Sequence, residues 1–308
     1  MAERGRILVG TSSWADPGFV KRWYPAGLAA KDRLPWYAER FEIVEVNATQ
    51  YAIPERATVA RWAEITPDSF RFDVKLHRLL SRHAAREGEL PPEMRDRLEV
   101  SPRGRVKLTD AVEAETIERT KTALAPLEQA GKLGALLLQL TPSFDPLRNS
   151  LEELVPLIEG FKPWRLAVEF RHRGWVEGER AEATLAFLSE HEAAFVAVDA
   201  PKEVHVPIMP DLDAVTAPAL AYIRMHGRNA EGYMRGKSVA ERFGWIYSDA
   251  ELEQIAGRVE RLAVDVEEVH VMFNNNRDDD APKAARRFRA LIGQDPGPEA
   301  EEGQQRLI

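Results

Sequence analysis

The sequence predicts a single-domain TIM (β/α)8 barrel. Three observations carry that expectation. Eight short apolar runs rich in β-branched and aromatic residues recur along the 308 residues, helical patterns separate most of them, and charged or amide side chains follow nearly every run. Strands alternating with helices build a parallel sheet, and eight such repeats close it into a barrel. An open doubly wound sheet is the competing arrangement, but no Gly-x-Gly-x-x-Gly follows the first run.

The runs are Ile7–Val9, Ile43–Val46, Phe70–Leu76, Ala135–Leu140, Leu166–Phe170, Phe195–Val198, Ala221–Met225 and Val269–Phe273. Their side chains favour strands over helix fragments of the same length. Pro54 opens a helical pattern through Val59 and Trp62 that ends near Pro67. Val112 to Ala130 is the longest helix, stopped by Gly131. Asp145-Pro146 reads as an N-cap and first-turn proline for a stripe of Leu147, Leu151, Leu154 and Ile158. Ser248-x-x-Glu251 is a capping box ahead of Leu252, Ile255, Val259 and Leu262. Ala281, Ala284, Ala285, Phe288 and Leu291 form the last stripe, before Gly293. Four prolines between Pro201 and Pro218 leave little room in the sixth crossover, whose helix is expected to be short or missing. The barrel occupies 1–293, and the tail 294–308, rich in Glu, Gln, Pro and Gly, is expected to be disordered.

Hydrophobic residues make up 44% of the chain and charged residues 30%, the balance of a soluble domain with a large core. The absence of cysteine removes disulfides, thiolate catalysis and thiolate-held metal clusters. No apolar run reaches the ~18 residues of a membrane span, and a cytoplasmic location is expected. A net charge of −8 argues against general nucleic-acid binding. Residues 71–107 dissent locally, with ten Lys/Arg against six Asp/Glu. This stretch reads either as a solvated loop or as a cationic lid over an anionic ligand.

In a barrel of this kind the C-terminal strand ends line one mouth. Here they carry Thr11-Ser-Ser-Trp14, Glu45 and Asn47, Lys75, Gln139, Glu169 and Arg171, Asp199, Arg224 and His226, and Asn274-Asn275. Within three strands the polar residues share one alternation face: Glu45 with Asn47, Glu169 with Arg171, and Arg224 with His226. Glu169 is the first candidate acid or base, with Glu45 or His226 as its partner; two carboxylates could also perform glycosidic chemistry. Arg171 and Arg224 suit bidentate recognition of a carboxylate or phosphate. Lys75 is an amine nucleophile if burial depresses it, unless Asp73 or Glu45 pairs with it. Trp14 and Tyr51 are candidate aromatic walls, as are Trp36, Trp175, Tyr233 and Trp245, though such rings more often pack beneath loops. Glu45, Glu169, Asp199 and His226 are possible ligand types for a divalent metal, but no spacing assigns a site and no cofactor motif is evident. His191-Glu-Ala-Ala-Phe195 fails as a zinc motif because Phe stands where the second His must be.

These residues resemble a known family. Gly10-Thr-Ser-Ser-Trp14, Trp23-Tyr-Pro25, Phe41-Glu-Ile-Val-Glu-Val-Asn47 and Phe72-Asp-Val-Lys75 resemble motifs of the YecE-like family, the domain of unknown function 72. Leu137-Leu-Gln-Leu140, Val168-Glu-Phe-Arg171, Trp175, Asp199, Tyr222-Ile-Arg-Met-His-Gly-Arg228 and Phe273-Asn-Asn275 continue the likeness in order, from Ile7 to about Leu291. The resemblance implies a TIM barrel whose strand-end residues form the family's polar pocket, and it supplies no reaction. Departures lie at the rim: Thr49-Gln50-Tyr51 replaces Thr-Phe-Tyr, and Arg82-His83 stands where the family has Thr-His.

The functional expectation is an enzyme that binds a small polar or anionic molecule, such as a sugar or phosphate ester, and hydrolyses or isomerises it. A non-catalytic anion sensor is the first alternative. A nucleic-acid-directed protein using the basic 78–107 loop is the second.

Overall fold

The structure is a computed structural model that describes residues 4–201, 210–264 and 266–298. Eight parallel strands close into a barrel in sequence order: β1 (Arg6–Ser12), β2 (Ile43–Val46), β3 (Arg71–Lys75), β4 (Leu133–Gln139), β5 (Leu166–Glu169), β6 (Ala194–Asp199), β7 (Leu220–Met225) and β8 (Glu268–Phe273). The barrel is sealed where β1 runs beside β8, with Arg6 opposite Glu268 and Thr11 opposite Phe273. Nearly all strand residues are buried, as expected where the lumen packs one face and helices cover the other.

The helices are α1 (Pro17–Arg22), α2 (Arg33–Ala38), α3 (Arg56–Glu64), α4 (Pro92–Arg95), α5 (Asp110–Gln129), α6 (Val155–Phe161), α7 (Glu179–Glu190), α8 (Ala230–Arg235), α9 (Val239–Phe243), α10 (Asp249–Leu262) and α11 (Asp280–Leu291). Thr109 caps α5, and the Ser248–Glu251 capping box opens α10 as its spacing predicts. Between β6 and β7 the described residues contain no helix, and 202–209 lie outside them. Asp213 from this connection instead pairs with Arg258 of α10 at 2.8 Å.

One expectation needs correction. Asp145-Pro146 does not start a helix: Asp145 closes a local turn onto the Leu147 amide, and Leu147 is exposed. The helical segment begins after Ser150, where a second capping box with Glu153 satisfies the free amides. As far as it is described, the chain after α11 lies against the barrel. Gln294 Nε2 donates to the Ile7 carbonyl at 2.8 Å, and Arg286 donates to that of Gly297. Residues 299–308 lie outside those described.

The basic stretch after β3 is built rather than loose. Leu79, Ala85, Leu90, Met94, Val106 and Val112 form a small apolar cluster of their own. Four of its eight cations are in ion pairs: Arg78 with Glu89, Arg82 with Glu113, Arg97 with Glu115 and Lys107 with Glu99.

Candidate functional site

Period-two alternation sends Asp73 and Lys75, Glu169 and Arg171, and Tyr222, Arg224 and His226 to one face each. The structure puts that face in the lumen, because the bonds they make join strands that are not neighbours. His270 on β8 meets Asp73 on β3 at 2.9 Å. Arg224 on β7 reaches Glu45 on β2 through Nε and Nη2, at 2.9 and 2.6 Å, and bonds Glu169 on β5 through Nη1. These contacts form two charged layers, the Asp73–His270 pair and, toward the C-terminal ends, the Glu45–Arg224–Glu169 cluster.

In the upper layer each carboxylate is heavily engaged. Glu45 accepts from Arg224 and from the Tyr222 hydroxyl at 2.9 Å. Glu169 accepts from Gln139 Nε2 at 2.9 Å and Arg171 Nη1 at 3.0 Å, as well as from Arg224. His226 Nε2 lies 3.1 Å from the same carboxylate, and its Nδ1 lies 2.9 Å from the Asn274 amide. The amide donates to Nδ1, which leaves Nε2 as the protonated nitrogen facing Glu169. Burial works to raise the pKa of Glu169, but the Arg224 guanidinium, with His226 and Arg171, outweighs it and holds the carboxyl well below its usual range. Burial, with Arg224 and Arg171, lowers His226 against the pull of Glu169. Glu169 is therefore an ionised acceptor surrounded by donors, unsuited to act as an acid. Arg224 is committed to both carboxylates instead of standing free as an anion clamp.

Lys75 differs from its neighbours. It is 6% exposed, and its Nζ has neither a hydrogen bond nor an ion pair. Asp73 is taken by His270, and Glu45 by Arg224 and Tyr222, so neither expected partner is available. Burial depresses Lys75, and Arg224 and Arg171 add to the effect, bringing it to about 7 against Glu45 and Glu169.

Lys75 lines a cavity of about 420 Å3 at the mouth, together with Asn47, Tyr51, Gln139, Arg171, Arg224 and Asn274. Glu45, Glu169 and His226 are not on its wall but buried behind it. Three other expected contacts also fall elsewhere. Asp199 is fully buried and held by Arg228 at 2.8 Å and the Tyr247 hydroxyl. Asn275 is buried and donates to the Trp245 carbonyl. Trp14 packs edge-on against Trp62 with ring centroids 5.4 Å apart. Of the six aromatics singled out by sequence, Tyr51 alone is on the wall; Tyr233 holds Arg171 through its hydroxyl at 2.9 Å.

The structure adds residues that sequence reasoning missed. Asp16 lies on the wall, where burial raises its pKa against the Gly18 amide that it caps. Its signal was available, since Asp16-Pro17 directly follows the first strand end as an N-cap and first-turn proline. His83 lines the same wall, and its Nε2 is buried without a partner. Burial and then Lys75 lower it to about 4 against the Gln139 backbone, so the ring is neutral. Arg82 sets its place: with φ at 61°, it bonds Glu113 at 2.5 Å and the Glu153 carbonyl at 2.6 Å. Asn276 also lines the cavity, and its Oδ1, like that of Asn47, is buried and unpartnered. Ser13, on the same wall, has φ of 96°, backbone strain of a kind that gathers at functional sites.

Among the described residues no group of three or more His, Asp or Glu side chains is placed to hold a metal ion. None of their helices is long and apolar enough to cross a membrane.

Fold and mouth together define the class: a closed eight-stranded parallel β/α barrel with a polar pocket at the C-terminal strand ends. The chain belongs to the family described as "Protein of unknown function DUF72", which it matches over residues 8–306. It is similar to the UPF0759 protein YunF of Bacillus subtilis (strain 168), at 27% identity across 93% of this chain and 94% of that one. The UPF0759 protein YecE of Escherichia coli (strain K12) is 37% identical over 79 residues, 26% of each chain. Among solved structures, a DUF72 family protein from Thermotoga maritima MSB8 aligns with a TM-score of 0.75 at 29% identity, covering 94% of this chain and 100% of its own. Another from Enterococcus faecalis V583 gives 0.75 at 25%, covering 97% and 99%.

Proposed function

We propose that this protein is an enzyme acting on a small, oxygen-rich anion held at the barrel mouth, as a hydrolase or isomerase. One observation carries the reading: the unpaired Lys75 amine and the Arg171 guanidinium line one cavity together with the amide side chains of Asn47, Gln139 and Asn274. A buried amine without a partner is costly, and a polar ligand in the cavity would supply the missing bond. Arg171 is the anion contact, because Tyr233 and Glu169 orient it while it still faces the cavity.

The acid–base roles move from Glu169, Glu45 and His226 to Asp16 and Lys75. Both line the cavity, and their environments shift the carboxyl up and the amine down, toward neutral pH. A non-catalytic sensor would use the same contacts, so turnover of the bound molecule separates the two readings. The test is a thermal-shift panel of small carboxylates, sugars and phosphate esters. At least one anion is expected to stabilise the protein, and Arg171→Ala to weaken its binding ~10- to 100-fold, the worth of a charge-assisted hydrogen bond. Binding that is indifferent to Arg171→Ala, or stabilisation by none of the anions, overturns the proposal.

A further inference from the structure

We infer that Lys75 is a nucleophile that captures the carbonyl carbon of a small anionic aldehyde or ketone as a protonated imine. The anionic part of this substrate class rests on the reading of the mouth given above.

Charge balance around Lys75 is the first argument. The upper layer holds two carboxylates, Glu45 and Glu169, and two guanidiniums, Arg224 and Arg171, joined by ion pairs. The other groups on them, Gln139, Tyr222 and the neutral His226, carry no charge. The layer is thus neutral without Lys75, and a protonated Nζ would be a surplus buried cation. Its neutral form is a free amine with an unshared electron pair, beside two other cations. Desolvation and neighbouring cations are the conditions that turn a lysine into a nucleophile.

Placement is the second argument. The amine stands at the C-terminal end of β3 and lines the mouth cavity, where a ligand would lie. If Lys75 served as a structural cation, its partner would be Asp73 or Glu45, and both are bonded elsewhere.

The third argument is that the step needs only protons, which the open mouth exchanges with solvent. The Nζ electron pair adds to the carbonyl carbon, and the carbonyl oxygen takes one proton from solvent. The new C–N bond leaves nitrogen with an extra proton, which passes to solvent. Solvent returns a proton to the hydroxyl, the C–O bond breaks and water leaves. The nitrogen electron pair closes the C=N bond. The balance is one amine, one carbonyl and one proton in, and one iminium and one water out, with no oxidant or reductant.

The experiment uses the full chain near pH 7 with cyanoborohydride as trap and two probes, glyoxylate (anionic) and formaldehyde (neutral), followed by peptide mass mapping. The exposed Lys107 and Lys283, with side chains 67% and 66% accessible, are the internal references. Surface amines have a pKa of about 10.4 and are almost wholly protonated at this pH. Lys75 is expected to carry the first adduct with either probe, at least ~10-fold ahead of the references. Arg171→Ala should slow only the glyoxylate reaction, and Lys75→Arg should remove the adduct.

Labelling of Lys75 no faster than the references overturns the inference. If glyoxylate without reductant still stabilises the protein through Arg171, that result leaves the anion site standing. Preferential formaldehyde labelling without glyoxylate stabilisation upholds the nucleophile and overturns the anion reading. Failure of labelling and stabilisation together overturns both.

Discussion

The Asp73–His270 pair and the Glu45–Arg224–Glu169 cluster are both fully buried in one lumen, yet their surroundings differ. In the deeper layer a carboxylate meets an imidazole. Although burial favours the neutral ring, Asp73 and Glu268 raise His270 to about 9. Gly134 makes room for the pair, since a Cβ there would stand 2.5 Å from Asp73 Oδ1. In the upper layer the carboxylates and guanidiniums balance, and one further amine lies beside an open cavity. Burial and charge alone therefore do not mark a site. What sets the upper layer apart is an unpaired amine with open space next to it.

The largest expected effect tests the upper layer as a scaffold. Arg224→Met leaves two buried carboxylates without their shared cation and should cost about 3–5 kcal/mol in urea unfolding. A near-neutral result would mean that Glu45 and Glu169 can rearrange.

The next tests the surplus amine. Lys75 has an ordinary pKa of 10.5 and a folded value of about 7, so the unfolded chain binds more protons. Its penalty is complete below pH 7 and fades as pH rises from 7 to 10.5. Lys75→Met should thus be more stable than the natural chain at pH 7, by on the order of 2–4 kcal/mol, with the gap closing on titration to pH 10. His270 runs the other way. Its contribution is complete below 6.5 and is lost as pH rises through about 9, so His270→Gln should remove a decline in stability across that window. Equal slopes in the two variants would erase the contrast between the layers.

A smaller effect is expected from Gly134→Ala, which crowds the deeper pair and should cost ~1–3 kcal/mol without changing anion binding. The smallest is Tyr51→Ala. This ring is 61% exposed on the cavity wall, so its loss should change stability by less than about 0.5 kcal/mol and show only in ligand affinity.

The barrel was legible because its strands are buried on both faces and read as continuous runs such as Ala135–Leu140 and Phe195–Val198. The helix at 155–161 starts later than its sequence suggests because Asp145-Pro146 and Ser150-x-x-Glu153 are both valid starts, and only the second is used to cap a helical turn. The strand-end rule found the lumen-facing polar residues, including Lys75 and Arg171. It could not tell wall from foundation. Glu45 and Arg224 are 179 positions apart, and nothing local in either stretch announces that they consume each other. Asp16 and His83 escaped because they stand in connections, just beyond the strand ends.

The segment after β3 adds a point about how such a protein can change. Its own apolar cluster runs from Leu79 to Val112, while Leu80 anchors it in the barrel core and Arg82 fastens it to α5 and to the Glu153 carbonyl. Substitutions within that small cluster therefore act first on the rim around His83, and on the charged layers of the lumen only at a distance.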